Sequence, residues 1–132
     1  QVTFTVEVRS PQEETIHAIM EEIQYRIEEI CNRRNIRCHY RQVAFSKPDS
    51  MNPRMVALLE ETANQLEEPY LRMDSGAVHD ACMLAPFVPT GMIFVPSIGG
   101  RSHVPQEDTR PEDLIRGANF LLATLMHLAD CK

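Results

Sequence analysis

A chain of 132 residues with 43% hydrophobic and 24% charged residues has the size and make-up of one ordinary globular domain, or of two small pieces of larger ones. Its formal net charge of -6 excludes the broad basic surface that nucleic acid or an anionic membrane would reward, so neither is expected as a partner. No stretch approaches the ~18 apolar residues of a membrane span, and the four cysteines (Cys31, Cys38, Cys82, Cys131) lack C-x-x-C spacing, which reads as reduced thiols of a cytoplasmic protein.

Residues 2–9 alternate. Val2, Phe4, Val6 and Val8 share one face and Thr3, Thr5, Glu7 and Arg9 the other, which predicts a half-buried strand with a polar working face. Ser10-Pro11-Gln12-Glu13 then opens a helix, with Ser10 as N-cap, Pro11 at the first helical position and Glu13 closing a capping box. Ile16, Ile19, Met20, Ile23, Ile27, Ile30 and Cys31 form its apolar stripe, to about residue 33. Arg33, Arg34, Arg37 and Arg41 are the densest basic stretch; at a helix end they match the helix dipole. Ile36, Cys38 and Tyr40 alternate with Arg37, His39 and Arg41 in a second strand running on to Phe45, so residues 1–46 are expected as strand–helix–strand.

Ser46-Lys47-Pro48-Asp49-Ser50 is the best boundary, a polar turn cluster. Asn52-Pro53 opens a second helix with Met55, Val56, Leu58, Leu59, Ala63 and Leu66 inward, ended by Pro69. Tyr70–Met73 reads as a short strand, and a short helix follows over about 77–85, stopped by Pro86. Gly91–Val95 is a continuous apolar run, the pattern of a strand buried on both faces. A glycine-rich loop spans 97–103. Thr109 and Glu112 form a further capping box before a helix to about Ala129 through Leu114, Ile115, Ala118, Leu121, Leu122, Leu125 and Leu128. The class expected is therefore α/β or an α+β mix. Neither part supplies enough sheet to cover its own edges, so both are expected to need more, from further sequence or from a second copy. The chain opens inside a strand pattern and without Met, which reads as a piece of a longer protein.

Three places could carry chemistry. His103, in a loop after a buried strand and near Gly99, Gly100 and Ser102, could be a metal ligand, a general base or a polar surface residue. His79 and Asp80 stand at a helix start, where Asp80 would complement the dipole with His79 as its partner, or both would line a pocket. Arg9 on the polar strand face could grip a carboxylate with its planar fork, or simply pair with Glu7. His17, His39 and His127 lie within helix or strand patterns and are given no special role. The Glu-Glu pairs fall on polar helix faces and read as solvated surface. H-x-D, H-E-x-x-H and G-x-S-x-G are all absent.

Four stretches in register resemble successive motifs of one family. They are Phe4-Thr5-Val6-Glu7-Val8-Arg9-Ser10, Ser75-Gly76-Ala77-Val78-His79-Asp80-Ala81, Gly91-Met92-Ile93-Phe94-Val95-Pro96-Ser97 and Ser102-His103-Val104-Pro105-Gln106-Glu107. The family is that of N-carbamoyl-L-amino-acid hydrolases and allantoate amidohydrolases, metal-dependent amidohydrolases related to aminoacylase and the zinc carboxypeptidases. The resemblance implies that residues 1–46 are the second half of a lid and dimerisation domain. Residues 47–132 would be the C-terminal part of an α/β zinc-hydrolase catalytic domain. It implies that Arg9 holds the substrate carboxylate, that His79 and Asp80 line the substrate pocket, and that His103 is a metal ligand. A two-metal centre of Zn²⁺ or Mn²⁺ is implied for the family, with its other ligands absent from this chain, so no residue here is assigned a catalytic role and the isolated chain is expected to be inactive. A small ureido acid is the implied substrate and a homodimer the implied assembly. A non-catalytic dimerisation module, pairing strands with a second copy, is the alternative; a weaker one assembles a new metal site from two chains. Three positions depart from the family pattern: Val78 for Gly, Glu7 for Asp, and Arg101 for an aliphatic residue.

Overall fold

The computed structural model describes residues 1–130; Cys131, expected as a reduced thiol, lies outside them. Four helices follow in order: α1 (Glu13–Arg34), α2 (Pro53–Gln65), α3 (Asp80–Leu84) and α4 (Pro111–Asp130), with a single 3₁₀ turn at Ile98–Gly100. The chain divides into two units. Gln1–Ser50 joins Asp74–Val78 in the first, and Met51–Met73 joins the chain from His79 onward in the second.

The α/β class is overturned. Among the described residues there is no strand and no sheet, so neither the strand–helix–strand lid nor the strand of an α/β zinc-hydrolase domain is formed. Residues 2–9, 36–45, 70–73 and 91–95 run without a ladder. Alternation specifies which face of a strand would be buried, but a strand exists only where its N–H and C=O groups meet those of a neighbour. The intended apolar face of 2–9 is correspondingly bare, with Val2 87% and Phe4 70% exposed.

In the first unit, α1 begins at Glu13, three residues after the expected cap. Ser10 Oγ accepts the Gln12 N–H at 3.1 Å in a local turn, leaving Gln12 as an N-cap without a side-chain bond. Glu13 and Glu14 in the first turn and Arg33 and Arg34 in the last complement the dipole. Ile16 is buried, and Met20, Ile23, Ile27 and Cys31 are half-buried along the same face, as a period of 3.6 requires. Residues 45–47 return to the start of this helix. Phe45 lies 5.1 Å from the His17 ring, and Lys47 Nζ lies 3.0 Å from Glu13, whose carboxyl it holds below the usual range.

The second unit is built on α2 and α4. Asn52 Oδ1 accepts the N–H groups of Arg54 (3.0 Å) and Met55 (3.3 Å), and Pro53 stands at the first helical position. Thr62, 1% exposed, and Ala63 fill the contact with α4. His127, given no role from sequence, joins the two helices: its Nδ1 lies 3.4 Å from Thr62 Oγ1 and its Nε2 3.9 Å from Glu61. Beyond α2 the chain turns through Glu67 at φ 53°, with Glu67 N–H bonded to Asn64 O (3.2 Å) and Glu68 N–H to Ala63 O (2.9 Å). A side chain there strains the left-handed turn, so Glu67→Gly is expected to stabilise by about 1 kcal/mol, read as a higher urea midpoint.

Glu68 also accepts from Arg116 of α4, Nε to Oε2 at 3.1 Å with a second bond from the terminal nitrogen. Arg116 holds the Glu68 carboxyl below the usual carboxylate range. A depressed folded-state pKa gives stability that is present above the unfolded value and lost as pH falls through the folded one. Glu68→Gln is therefore expected to flatten the acid limb of the stability curve, in thermal melts between about pH 3 and pH 6, and to leave its neutral-to-alkaline slope unchanged.

Residues 91–95 lie against α2 and α4 through two glycines. A Cβ on Gly91 would stand 3.1 Å from Leu59 Cδ1, and one on Gly117 only 2.5 Å from Val95 Cγ1. Only one side of the run is covered. Ile93 and Phe94 are 37% and 48% exposed, and an open apolar cavity of about 450 Å³ lies among Leu59, Ile93, Val95, Leu121 and Leu125. The buried apolar core of the described residues is Ile16 and Ala63 alone. The chain exposes 11310 Å². No described helix is long and apolar enough to cross a membrane.

Candidate functional site

Arg9 is held at the working end of residues 2–9, inside the first unit. Its Nε donates to Glu7 Oε1 at 2.8 Å, and a terminal nitrogen donates to the Gly76 carbonyl in the 74–78 loop. Glu7, through its hydrogen bond and its charge, raises the guanidinium pKa further above its ordinary value. Both side chains are more than half exposed, so the pair is worth little as a stability element. It does fix the plane and direction of the fork. Two of its five N–H donors are engaged by described residues, and the side chain is 58% exposed. Around Gly76 there is nothing within 4 Å of where a Cβ would stand, and Ser75 Oγ accepts the Ala77 N–H at 3.2 Å, shaping the loop. Val78, where a glycine was expected, is largely exposed.

His79 and Asp80 lie in the second unit, at the start of α3. His79 is the N-cap (φ -124°, ψ 154°), its carbonyl accepts the Cys82 N–H at 2.9 Å, and its ring meets the Phe94 ring edge-on with centroids 5.4 Å apart. Asp80 is exposed in the first turn, where its charge suits the helix dipole.

His103 occupies the loop between residues 91–95 and α4. The loop is closed by Ile98 N–H to Asp108 O at 2.8 Å and turns through Gly99 (φ 68°) and Gly100 (φ 64°). His103 itself is left-handed, φ 59°, a conformation that costs a non-glycine residue roughly 1–2 kcal/mol. What holds it there is Glu107, whose Oε2 accepts the His103 N–H at 2.6 Å; Glu107 N–H in turn bonds Val104 O at 2.9 Å. The imidazole is left exposed. Glu107 received no role from sequence, although it stands four residues after the histidine, as a carboxylate closing such a turn must.

Arg9 is thus joined to the Gly76 loop in one unit, while His79, Asp80 and His103 belong to the other. Among the described residues no three His, Cys, Asp or Glu side chains gather into a group able to hold a metal ion. A catalytic zinc takes about three protein ligands, so the residues present do not by themselves fit such a centre.

Residues 3–127 match peptidase family M20/M25/M40. An N-carbamoyl-L-amino-acid amidohydrolase of Paenarthrobacter aurescens is 33% identical over 97% of this chain and 31% of its own length. The allantoate amidohydrolase of Escherichia coli (strain K12) is 36% identical over 98% of the chain and 31% of its own. The chain accordingly spans about a third of the length of these relatives. The crystal structure of an amidase of the hydantoinase/carbamoylase family from Burkholderia multivorans superposes with a TM-score of 0.84 at 32% identity, covering 87% of this chain and 28% of that one. A match from residue 3 to residue 127 takes in all four motifs, and this chain belongs to peptidase family M20/M25/M40.

Proposed function

We propose that the chain is the substrate-gripping part of an amidohydrolase acting on N-carbamoyl amino acids, allantoate or a related ureido acid. The observation that carries this reading is the largely exposed Arg9 guanidinium, oriented by Glu7 and the Gly76 carbonyl. Every substrate in that class has a carboxylate, and a planar fork binds one through two parallel bonds. The relatives' names support the same class.

His79 and Asp80 would line a substrate pocket, with the His79 ring edge-on to that of Phe94. The family is generally metal-dependent, and zinc or manganese is the metal we propose. His103 would contribute one imidazole to such a centre, presented by the strained turn that Glu107 holds. The other donors would lie outside the described residues. Because the residues present do not make the centre, no chemical step is derived through it. Exposed large apolar side chains such as Phe4, Leu71 and Phe87 support the same division, since a larger core would cover them.

The test is ammonia release from N-carbamoyl-L-amino acids and allantoate, by the full gene product and by the isolated 132-residue chain. Turnover by the first and none by the second is expected. No turnover of any ureido acid by the full product would remove the reading. The bare apolar faces also favour a second one, a non-catalytic module that pairs with another copy of itself. Ammonia release by the full gene product separates them, because that module hydrolyses no ureido acid with or without metal.

A further inference from the structure

The loop that carries His103 also carries a cation that the site above does not use. Arg101 stands two residues before His103, extended at φ -81° and ψ 137°, directly after the Gly99–Gly100 turn. It is exposed, and its stem runs beside Gly99, with Nε 3.8 Å and Cγ 3.9 Å from where a Cβ on that glycine would stand. The loop's own acids are turned to its backbone. Glu107 accepts the His103 N–H and Asp108 accepts the Thr109 N–H. Arg101 accordingly has no ion pair and no side-chain hydrogen bond among the described residues, whereas Arg9, Arg26, Arg72 and Arg116 each lie against a glutamate. Its place beside His103 follows from the chain itself, since two residues separate their Cα atoms by at most about 7 Å. A small molecule held at the imidazole is therefore within reach of the guanidinium, and within about one Debye length of its charge.

We propose that Arg101 determines specificity, selecting those ureido acids that carry a second carboxylate beyond the one assigned to Arg9. This rests on His103 lining the substrate site, as proposed above. An anionic side arm would gain a charge-assisted bond to the fork at two points. A neutral amide of the same shape would gain an ordinary hydrogen bond, and an apolar side arm nothing. No described acid has to release Arg101 first. An aliphatic residue at this position, as the resemblance expects, offers none of these contacts.

The test compares N-carbamoyl-L-aspartate with N-carbamoyl-L-asparagine, which share a shape and differ by one charge, alongside N-carbamoyl-L-leucine. All three are given to the full gene product, as the parent and as Arg101→Leu. The parent is expected to favour the aspartate over the asparagine compound by about 10- to 100-fold in kcat/KM, and Arg101→Leu to erase that ratio. The ratio is taken within one preparation, so a smaller folded fraction in the variant does not move it. A ratio that survives Arg101→Leu overturns the proposal. So does a parent that hydrolyses the leucine or asparagine compound but does not prefer the aspartate one, and the amidohydrolase reading then stands without it. No turnover of any ureido acid by the parent removes that reading, and this proposal with it.

Discussion

Arg9→Lys is expected to lower kcat/KM for an N-carbamoyl amino acid by about 10- to 100-fold, and Arg9→Ala by about 100- to 1,000-fold, in the protein that turns the substrate over. Lysine keeps the charge but loses the planar fork, so the first figure isolates geometry and the difference between the two isolates charge. The site offers a reason for the sensitivity. The guanidinium is already oriented by Glu7 at 2.8 Å and by the Gly76 carbonyl, so its donors are presented in one plane. An ammonium has three donors and no planar fork, so it cannot keep both contacts and still grip a carboxylate in two places. The control is a substrate whose carboxylate has been made an amide. Its slower turnover should be nearly indifferent to Arg9, since there is no anion to grip. An equal loss on acid and amide would assign Arg9 to shaping the 74–78 loop and not to binding substrate.

Gly117→Ala is expected to destabilise the second unit by about 1–3 kcal/mol, through overpacking. The added methyl would stand 2.5 Å from Val95 Cγ1, in a helix that already packs against the 91–95 run. In an exposed helix interior the same change would stabilise by up to about 1 kcal/mol, so the sign itself is diagnostic. Val95→Ala removes the atom in the way. The double variant should therefore be less destabilised than the sum of the singles, with a coupling of about 0.5–3 kcal/mol from urea denaturation. Additive losses would mean that residues 91–95 do not rest on α4 in solution.

The helices were legible because their signals are local. Asn52-Pro53 names its own cap, the Ile16–Cys31 stripe repeats at 3.6 residues, and α4 follows its apolar positions to the end of the described chain. The start of α1 was misplaced because Ser10 turns onto Gln12 N–H instead of capping the helix. The sheet was not legible for a different reason. Phe4 and Val6 alternate as a strand does, yet pairing is a property of a neighbour, and a pattern within one segment cannot supply it. Around the site, the motif stretches located Arg9, His79, Asp80 and His103, whereas the partners that orient them lay beyond pattern. The Gly76 carbonyl belongs to the backbone 67 residues from Arg9, and Glu107 acts by holding a left-handed turn that a sequence does not display.

The division of labour proposed for this chain gives it a carboxylate clamp and one imidazole donor, not a complete metal centre. Calorimetric titration of the purified 132-residue chain with zinc and with manganese tests that most directly. The account expects no tight stoichiometric binding of either ion, because a lone exposed His103 has no partner ligands gathered around it among the described residues. Tight binding of one or two ions per chain, abolished by His103→Ala, would contradict it.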